Sequence, residues 1–145
     1  EASGQVDFDL DLAIEQSSSN PVYYVQYAHA RICSIFRHLE AEGITLGQVD
    51  AETLSRLTAP EERELIRYIA QYPAEIVGAA KASDPARMTR YSMELATLFH
   101  KFYNGCKVMC DDSALMQARI ALCSATRITL KNALTLLKVS VPERM

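Results

Sequence analysis

The stretch that decides the fold is NPVYYVQYAHAR, residues 20–31. Asn20 is a good helix N-cap, and Pro21 suits the first helical position because its missing N–H has no partner to lose there. The spacing of apolar residues predicts a helix from this point to about Glu42, with Gly43 as its stop. Because tyrosine, histidine and arginine share the helix with valine and alanine, it can pack into a core on one face and meet a polar partner on another.

Tyr27 and Arg31 lie one helical turn apart and are the first candidates for binding. Aromatic rings stack on nucleotide bases, and arginine pairs with base edges or phosphates, so the two side chains together fit a base. The alternative is that the tyrosines pack between helices and that Arg31 pairs with a carboxylate, which is what composition alone favours. The residues by themselves leave both interpretations open.

Length and composition indicate one soluble globular domain. The chain has 145 residues, of which 49% are hydrophobic and 23% charged, and this length can bury one sizeable core. Its formal net charge of −3 lacks the basic excess of most nucleic-acid binders, so any RNA contact must be local. No apolar run is long enough to cross a bilayer, and the first residues are acidic rather than basic, so we expect a cytoplasmic protein with no membrane partner.

The four cysteines, Cys33, Cys106, Cys110 and Cys123, form no CxxC pair. All four fall inside predicted helices, and Cys106 and Cys110 are one turn apart without a histidine or a further cysteine nearby. Neither a zinc site nor a redox site is therefore expected. The pattern indicates reduced thiols that are mostly buried.

Caps and prolines divide the chain into helices with short loops. Pro73 interrupts the third helix and is expected to kink or split it after Gln71 or Tyr72. Acidic and apolar residues alternate at residues 7–12, which permits a short strand there. The predicted helices cover residues 20–42, 50–57, 60–82, 85–110 and 114–138. The sequence thus predicts an all-α fold, a single-domain bundle of about five helices.

One polar face on the fourth predicted helix is a further candidate for RNA contact. His100, Lys101, Asn104 and Lys107 lie on or near this face. Such side chains can donate hydrogen bonds to a phosphate or a base. A solvated face without a ligand is the alternative.

A basic stripe on the last predicted helix is another candidate. Arg119, Arg127 and Lys131 lie at multiples of four residues and so along one side of the helix. This is the clearest cluster of basic residues in the sequence. Pairing with acids on neighbouring helices, such as Glu94 or Glu75, is the alternative.

Four segments resemble the C-terminal anticodon-binding domain of class I arginyl-tRNA synthetases, the helical module called DALR. Residues 20–35, NPVYYVQYAHARICSI, resemble its opening helix. Residues 91–108 resemble its pattern of a tyrosine, a leucine–alanine pair and F-H-x-F-Y-N, and residues 119–137 resemble its last helix, RxALCxATRxxLKNxLxLL. The ending VPERM, residues 141–145, is similar to the family's APERM. The resemblance covers nearly the whole chain and implies the same all-α, DALR-type fold.

Two positions depart from the family pattern. Ser124 stands where a glutamate is common, which removes a carboxylate that could pair with an arginine. Lys138 stands where a helix-ending glycine is common, so we expect the end of the last helix to be less sharply defined. The tail after this helix is short, and by folding back it would place Met145 beside the first helix.

The resemblance implies one part of a larger enzyme. Residues 1–19 would be a connector from an absent catalytic domain, and residues 20–145 the helical anticodon-binding domain. The first residue is not methionine, which agrees with a start inside a longer protein, whereas the VPERM ending resembles an authentic C-terminus. The parent implied is an arginine–tRNA ligase, a monomeric, cytoplasmic enzyme that uses ATP and Mg²⁺ to charge tRNA(Arg).

The implied role of this part is recognition and not catalysis. The 145 residues contain neither a HIGH-type nor a KMSKS-type motif, so we expect no catalytic residue, no metal and no cofactor in them. The partners implied are the anticodon stem-loop of tRNA(Arg) and the catalytic domain of the same chain.

The family's base pocket implies functional residues at the matching positions. Tyr27 would stack on the central cytosine of the anticodon, Arg31 would bond to its base or backbone, and Met145 would close the pocket. Tyr23 and Tyr24 are expected to pack against the core or the catalytic domain. The second-rank candidates, as phosphate contacts, are His100, Arg119, Arg127 and Lys131.

Two other functions are compatible with parts of the sequence. Exposed aromatic residues could form the docking patch of a helical protein-interaction module that does not bind RNA. A small enzyme could use His29 or His100 with nearby acids, although no spacing argues for it.

Overall fold

Four of the helices in the described ranges begin at an N-cap side chain that accepts hydrogen bonds from their first backbone N–H groups. The computed structural model describes residues 9–17 and 19–145. Asp9, Asn20, Asp50 and Asp112 each accept hydrogen bonds from the backbone of the helix that follows. The helices are α1 (Leu10–Ile14), α2 (Pro21–Ala41), α3 (Ala51–Leu54), α4 (Pro60–Ala70), α5 (Tyr72–Ala82), α6 (Ala86–Gly105) and α7 (Ser113–Leu136).

The all-α prediction is confirmed, since the described ranges contain no β-strand. They hold seven helices rather than about five. Pro73 splits one predicted helix into α4 and α5 at Gln71, because proline cannot donate the hydrogen bond that a continuous helix needs. The boundaries of the other predicted helices shift by a few residues.

The additional helix is α1, which lies in the predicted connector. Residues 10–12, where the alternation would also have permitted a short strand, are helical. Asp9 starts the helix by accepting a hydrogen bond from the Leu12 N–H at 3.0 Å. Residues 1–8 and 18 of the predicted connector lie outside the described residues.

Helix α6 is the centre of the bundle. Its Phe99 and Phe102 are fully buried, and α2, α4, α5 and α7 pack around it. Ile32 of α2 and Leu130 of α7 are likewise fully buried. Burial of an aliphatic or aromatic side chain of this kind contributes about 1.5–3 kcal/mol to folding. This packing fixes the position of α2, on which the candidate site is built.

Three helices end in a left-handed turn of the Schellman type. The residue that makes the turn has a positive φ in each: Gly43 at 73°, Ser83 at 49° and Lys138 at 59°. After α7, the N–H groups of Lys138 and Val139 donate to carbonyl oxygens of the last helical turn at 3.0 and 2.9 Å. The expectation of a poorly defined helix end is therefore wrong, because these bonds form with lysine in the position that usually holds glycine.

One buried ion pair joins three parts of the bundle. The Glu62 carboxylate of α4, 1% exposed, accepts a hydrogen bond from Arg119 Nε of α7 at 2.7 Å. Its other oxygen accepts from the Ala59 N–H at 2.9 Å and so caps α4. Arg119 Nη1 donates to the Lys107 carbonyl oxygen at 2.7 Å. The pair thus fixes the segment after α6 to both α4 and α7.

The predicted burial of most of the cysteines is confirmed. Cys33, Cys106 and Cys123 are free and buried. Their predicted placement inside helices is wrong for two of the four. Cys106 has an extended backbone with a φ of −125°, so α6 ends before it, and Cys110 lies in the segment that follows.

Replacing Lys138 with glycine should stabilise the fold, because glycine adopts the left-handed conformation without the steric penalty of a side chain. We expect the free energy of unfolding to rise by about 0.5–1 kcal/mol, since the greater freedom of glycine in the unfolded chain offsets part of the gain. Urea denaturation measures the difference. Gly43→Ala is the matched control and should lower the stability. A Lys138→Gly protein less stable than its parent would contradict this account.

Arg119→Met should destabilise the fold by about 3–5 kcal/mol, because it leaves the Glu62 carboxylate buried without its partner. Adding Glu62→Gln should recover part of the loss, since the amide carries no charge. Arg56→Met is the control: it removes an exposed pair with Asp112 and should cost no more than about 1 kcal/mol. Urea denaturation compares the variants, and equal losses for Arg119→Met and Arg56→Met would show that the pair is not a buried support.

Candidate nucleic-acid interface

Helix α2 turns one face into the core and another outward. Val25, Ala28 and Ile32 on the core face are 4% exposed or less. Residues separated by steps of three and four lie on one side of a helix. Such steps connect the residues of the outward face, which carries Tyr27, Arg31, Ser34 and His38.

This outward face is one wall of a groove with a volume of about 1280 Å³. The last turn of α6 and the segment after it, residues 103–109, form the second wall. Arg144 and Met145 form the third. The tail therefore folds back to α2, as the short connection after the last helix predicted.

Arg31 connects the first two walls of the groove. Its Cζ atom lies 4.8 Å from the centroid of the Tyr103 ring and 5.9 Å from that of Tyr27, both within cation–π range. Its Nη1 donates to the Tyr27 hydroxyl oxygen at 2.9 Å. Within the described residues, no carboxylate pairs with Arg31. Tyr27 is 37% exposed, so its position is fixed by Arg31 while part of its ring remains open to solvent.

The groove carries a positive charge although the chain as a whole is acidic. Among its lining residues, Arg31, Arg37, Lys107 and Arg144 are cationic, and none is an aspartate or glutamate. The net charge of the whole chain is −3. Positive charge next to an exposed aromatic ring suits a single-stranded nucleic acid, whose phosphates are anionic and whose bases stack.

The second wall needs support from outside α6, because that helix has ended. Arg119 supplies it through the hydrogen bond to the Lys107 carbonyl, and Glu62 fixes Arg119. Burial lowers the pKa of Arg119, but the hydrogen bond and charge of Glu62 outweigh it and leave the pKa above its ordinary value. The acids considered from sequence, Glu94 and Glu75, are not the partners. Arg119 lies behind the wall and does not line the groove.

Of the predicted site residues, Tyr27, Arg31 and Met145 all line the groove. His100 lies outside it and packs on Tyr27, with the ring centroids 6.0 Å apart. His100 Nε2 is buried and has no hydrogen-bond partner in the described structure. Burial and the positive charge of Arg31 lower the pKa of His100 from its ordinary value, which favours the neutral ring.

The basic stripe of α7 does not face the groove as a unit. Arg127 is half-buried, and its Cζ lies 4.5 Å from the centroid of the Phe36 ring. Lys131 is exposed and has no acidic partner among the described residues. Within the stripe, therefore, Lys131 is the residue whose charge lies openly at the surface.

The other tyrosines of α2 border the groove without lining it. Tyr24 packs against the core, as predicted, and its hydroxyl lies 3.3 Å from Thr97 Oγ1. Tyr23 stacks near Tyr27, with the ring centroids 6.4 Å apart. With His100, the three tyrosines line a smaller cavity of about 420 Å³ beside the groove.

Several lining residues were missed from sequence. His38 was detectable, since it lies two turns after Arg31 on the same face. The spacing of Tyr103 fits the apolar face of α6, which indicates a core position and not a place in the groove. Arg144 lies outside the helices, where periodicity assigns no direction to a side chain. The missed residues are Arg37, His38, Tyr103 and Arg144, whereas Asn104 and Lys107 of the polar face predicted on the fourth helix do line the groove.

The described residues contain neither a candidate metal site nor a candidate membrane-spanning helix. They contain no group of three or more histidine, cysteine, aspartate or glutamate side chains arranged to hold a metal ion. Nor is any of their helices both long enough and apolar enough to cross a membrane.

Comparison with known proteins shows the family to which the chain belongs. Residues 25–145 match the model of the DALR anticodon binding domain family. The chain is 52% identical over 145 residues to the arginine–tRNA ligase of Ruminiclostridium cellulolyticum, and 49% identical over the same length to that of Acetivibrio thermocellus. Each match covers 99% of this chain but only 26% of the relative, so the chain spans about a quarter of the length of these ligases.

Solved structures give the same result. The arginyl-tRNA synthetase of Thermus thermophilus superposes with a TM-score of 0.81 at 28% identity, over 98% of this chain and 24% of that one. That of Plasmodium falciparum superposes with a TM-score of 0.82 at 28% identity, over 97% of this chain and 24% of that one. The chain therefore belongs to the DALR anticodon-binding domain family, in the form found in arginyl-tRNA synthetases.

Proposed function

We propose that this chain recognises the anticodon loop of tRNA(Arg) as part of an arginine–tRNA ligase, and that the central cytosine of the anticodon enters the groove. The observation that carries the proposal is the cationic groove, in which Tyr27, Arg31 and Met145 come together from the two ends of the chain. A family of anticodon-binding domains supplies the context.

The groove offers the two interactions that a splayed base needs. Tyr27 presents part of a ring for stacking. Arg31 has five N–H donors and uses Nη1 on the Tyr27 hydroxyl, which leaves others for a ligand. The Watson–Crick edge of cytosine carries two adjacent acceptors, which suits a guanidinium. Met145 adds a flexible apolar side chain that can adapt to the shape of the base.

Phosphates are the second part of the proposed contact. Arg37, Lys107 and Arg144 line the groove, and none of their charges is paired with an acid in the described chain. They can therefore neutralise the RNA backbone around the bound base. We place Lys131 at the periphery of this contact and assign His100, Arg119 and Arg127 a supporting position, because each is packed or bonded within the protein.

Catalysis belongs to the remainder of the proposed ligase. That part would use ATP and Mg²⁺ to activate arginine, and residues 1–19 would connect it to the domain described here. We propose a monomeric, cytoplasmic parent enzyme. The role of this chain is to supply binding free energy that positions the tRNA.

The alternatives fit the structure less well. A protein-interaction module would not require a groove that is lined by four unpaired basic side chains and by no aspartate or glutamate. A small enzyme using histidine lacks a suitable pair. His29 donates to the Pro142 carbonyl oxygen, and His100 Nε2 has no hydrogen-bond partner among the described residues.

A fluorescence titration of the chain with a labelled anticodon stem-loop of tRNA(Arg) tests the proposal. We expect binding that weakens severalfold when the central cytosine is replaced, because Arg31 then faces an edge with a different donor and acceptor pattern. Tyr27→Ala should weaken binding by about 1–3 kcal/mol, the usual contribution of one stacked base.

Two matched variants control this titration. Tyr23→Ala changes the same residue type one turn earlier, outside the groove lining, and should have the smaller effect. Arg63→Ala removes an exposed, unpaired charge from α4 and controls for total charge. Equal affinity for the stem-loops with and without the central cytosine would contradict the assignment of the groove as the site of base recognition. Parent-like binding by Tyr27→Ala would contradict it as well.

A further inference from the structure

The last residues of the chain cross α2 without secondary structure of their own. No backbone–backbone hydrogen bond joins residues 140–145 to any other part of the described chain. Val139 and Val141 pack against the core, whereas Arg144 and Met145 are exposed and line the groove. Side-chain contacts must therefore determine where the last two residues lie.

Gln26 and His29 of α2 hold the first part of this tail segment, residues 140–145. Gln26 Nε2 donates to the Ser140 carbonyl oxygen at 3.0 Å and to its Oγ at 2.9 Å. His29 Nδ1 lies 2.9 Å from the Pro142 carbonyl oxygen, and because a carbonyl only accepts, Nδ1 carries the proton. His29 is 3% exposed, so this bond also satisfies a buried ring nitrogen.

Arg37 holds the next residue of the tail segment. Its Nη1 donates to the Glu143 carbonyl oxygen at 3.0 Å. Gln26, His29 and Arg37 are three and eight residues apart, which places them along one side of α2. Arg37 also lines the groove, whereas Gln26 and His29 do not. The latter two can therefore be changed without removing a group that meets the ligand.

These contacts limit how far Met145 can move. An extended chain spans at most about 3.5 Å per residue. Six residues follow Val139 in the sequence and would reach roughly 20 Å, whereas the three that follow Pro142 reach roughly 10 Å. A shorter free end has less conformational entropy to lose when Met145 closes on a ligand.

We propose that Gln26 and His29 are positioning residues for RNA recognition, which hold residues 140–142 against α2 and thereby keep Met145 at the groove. This inference rests on the proposed function of the groove. Both residues act through the tail segment, since neither contributes to the groove surface.

The test is the affinity of the chain for the anticodon stem-loop in the variants Gln26→Leu and His29→Leu, in which leucine retains part of the side-chain volume but cannot donate a hydrogen bond. Loss of one such hydrogen bond should weaken binding by about threefold to tenfold. His29→Asn places an amide N–H near the position of Nδ1 and should recover most of the affinity. Gln48→Leu, at an exposed loop glutamine without a hydrogen bond, is the matched control and should not change it.

The same variants made in a chain that ends at Val139 show whether the residues act through the tail segment. In this shortened chain, we expect neither Gln26→Leu nor His29→Leu to change the affinity further. Equal losses in the intact and shortened chains would overturn the proposal. Parent-like affinity of both variants in the intact chain would also overturn it.

A measurement without RNA separates this proposal from the proposed function. Relaxation of the ¹³C-labelled methyl group of Met145 reports motion at the end of the tail segment. The Met145 methyl group should become more mobile in Gln26→Leu and His29→Leu. The mobility of the Met88 methyl group, in a residue that is 2% exposed, should not change. If the chain fails to bind RNA but the Met145 methyl group becomes more mobile in these variants, the proposed function is refuted. The role of Gln26 and His29 in restricting the tail segment is then still supported. A Met145 methyl as rigid in both variants as in the parent would refute the positioning role.

Discussion

Burial of one face of α2 against α6 and α7 is the contact on which the rest of the molecule depends. With Val25, Ile32 and Leu39 fixed in the core, the directions of all other side chains on this helix are fixed as well. One further side faces the groove with Tyr27 and Arg31, and another holds the tail segment. The two ends of the chain therefore meet at one rigid element. A binding site built on such an element loses little entropy when its ligand is bound.

The groove is positive in an acidic chain because acidic side chains pair with basic ones elsewhere on the molecule. In the described structure, acids neutralise cations that lie away from the groove, at Arg56, Arg87, Arg90, Lys101 and Arg119. The cations that line the groove, Arg31, Arg37, Lys107 and Arg144, have no such partner. The net charge of −3 is thus a poor guide to what the surface can bind, because local distribution decides it. The buried pair of Glu62 and Arg119 contributes indirectly, since it holds the Lys107 backbone in the second wall.

Local signals predicted the fold well, and the site in part. The cap at Asn20, the break at Pro73 and the apolar spacing each depend on residues close in sequence, so the all-α bundle could be predicted with only short segments misplaced. Tyr27 and Arg31 are one turn apart, and their proximity followed from helical geometry. The second wall could not be predicted in this way, because α6 ends before Cys106, and the hydrogen bond between Arg119 and Lys107 joins segments that no periodicity relates. The left-handed turn at Lys138 likewise could not be predicted from local sequence, since tertiary packing overrides the local preference of lysine.

The central claim is that an RNA base enters the groove between α2, the segment after α6 and the tail. Methionine methyl NMR tests it most directly, because Met109 and Met145 line the groove, whereas Met88, Met93 and Met116 do not. When the anticodon stem-loop is added to a chain with ¹³C-labelled methionine methyl groups, ring currents of the bound base should shift the Met109 and Met145 signals and leave the other three in place. Shifts at Met93 or Met116 without any at Met109 and Met145, or no shift at saturating RNA, would contradict the account.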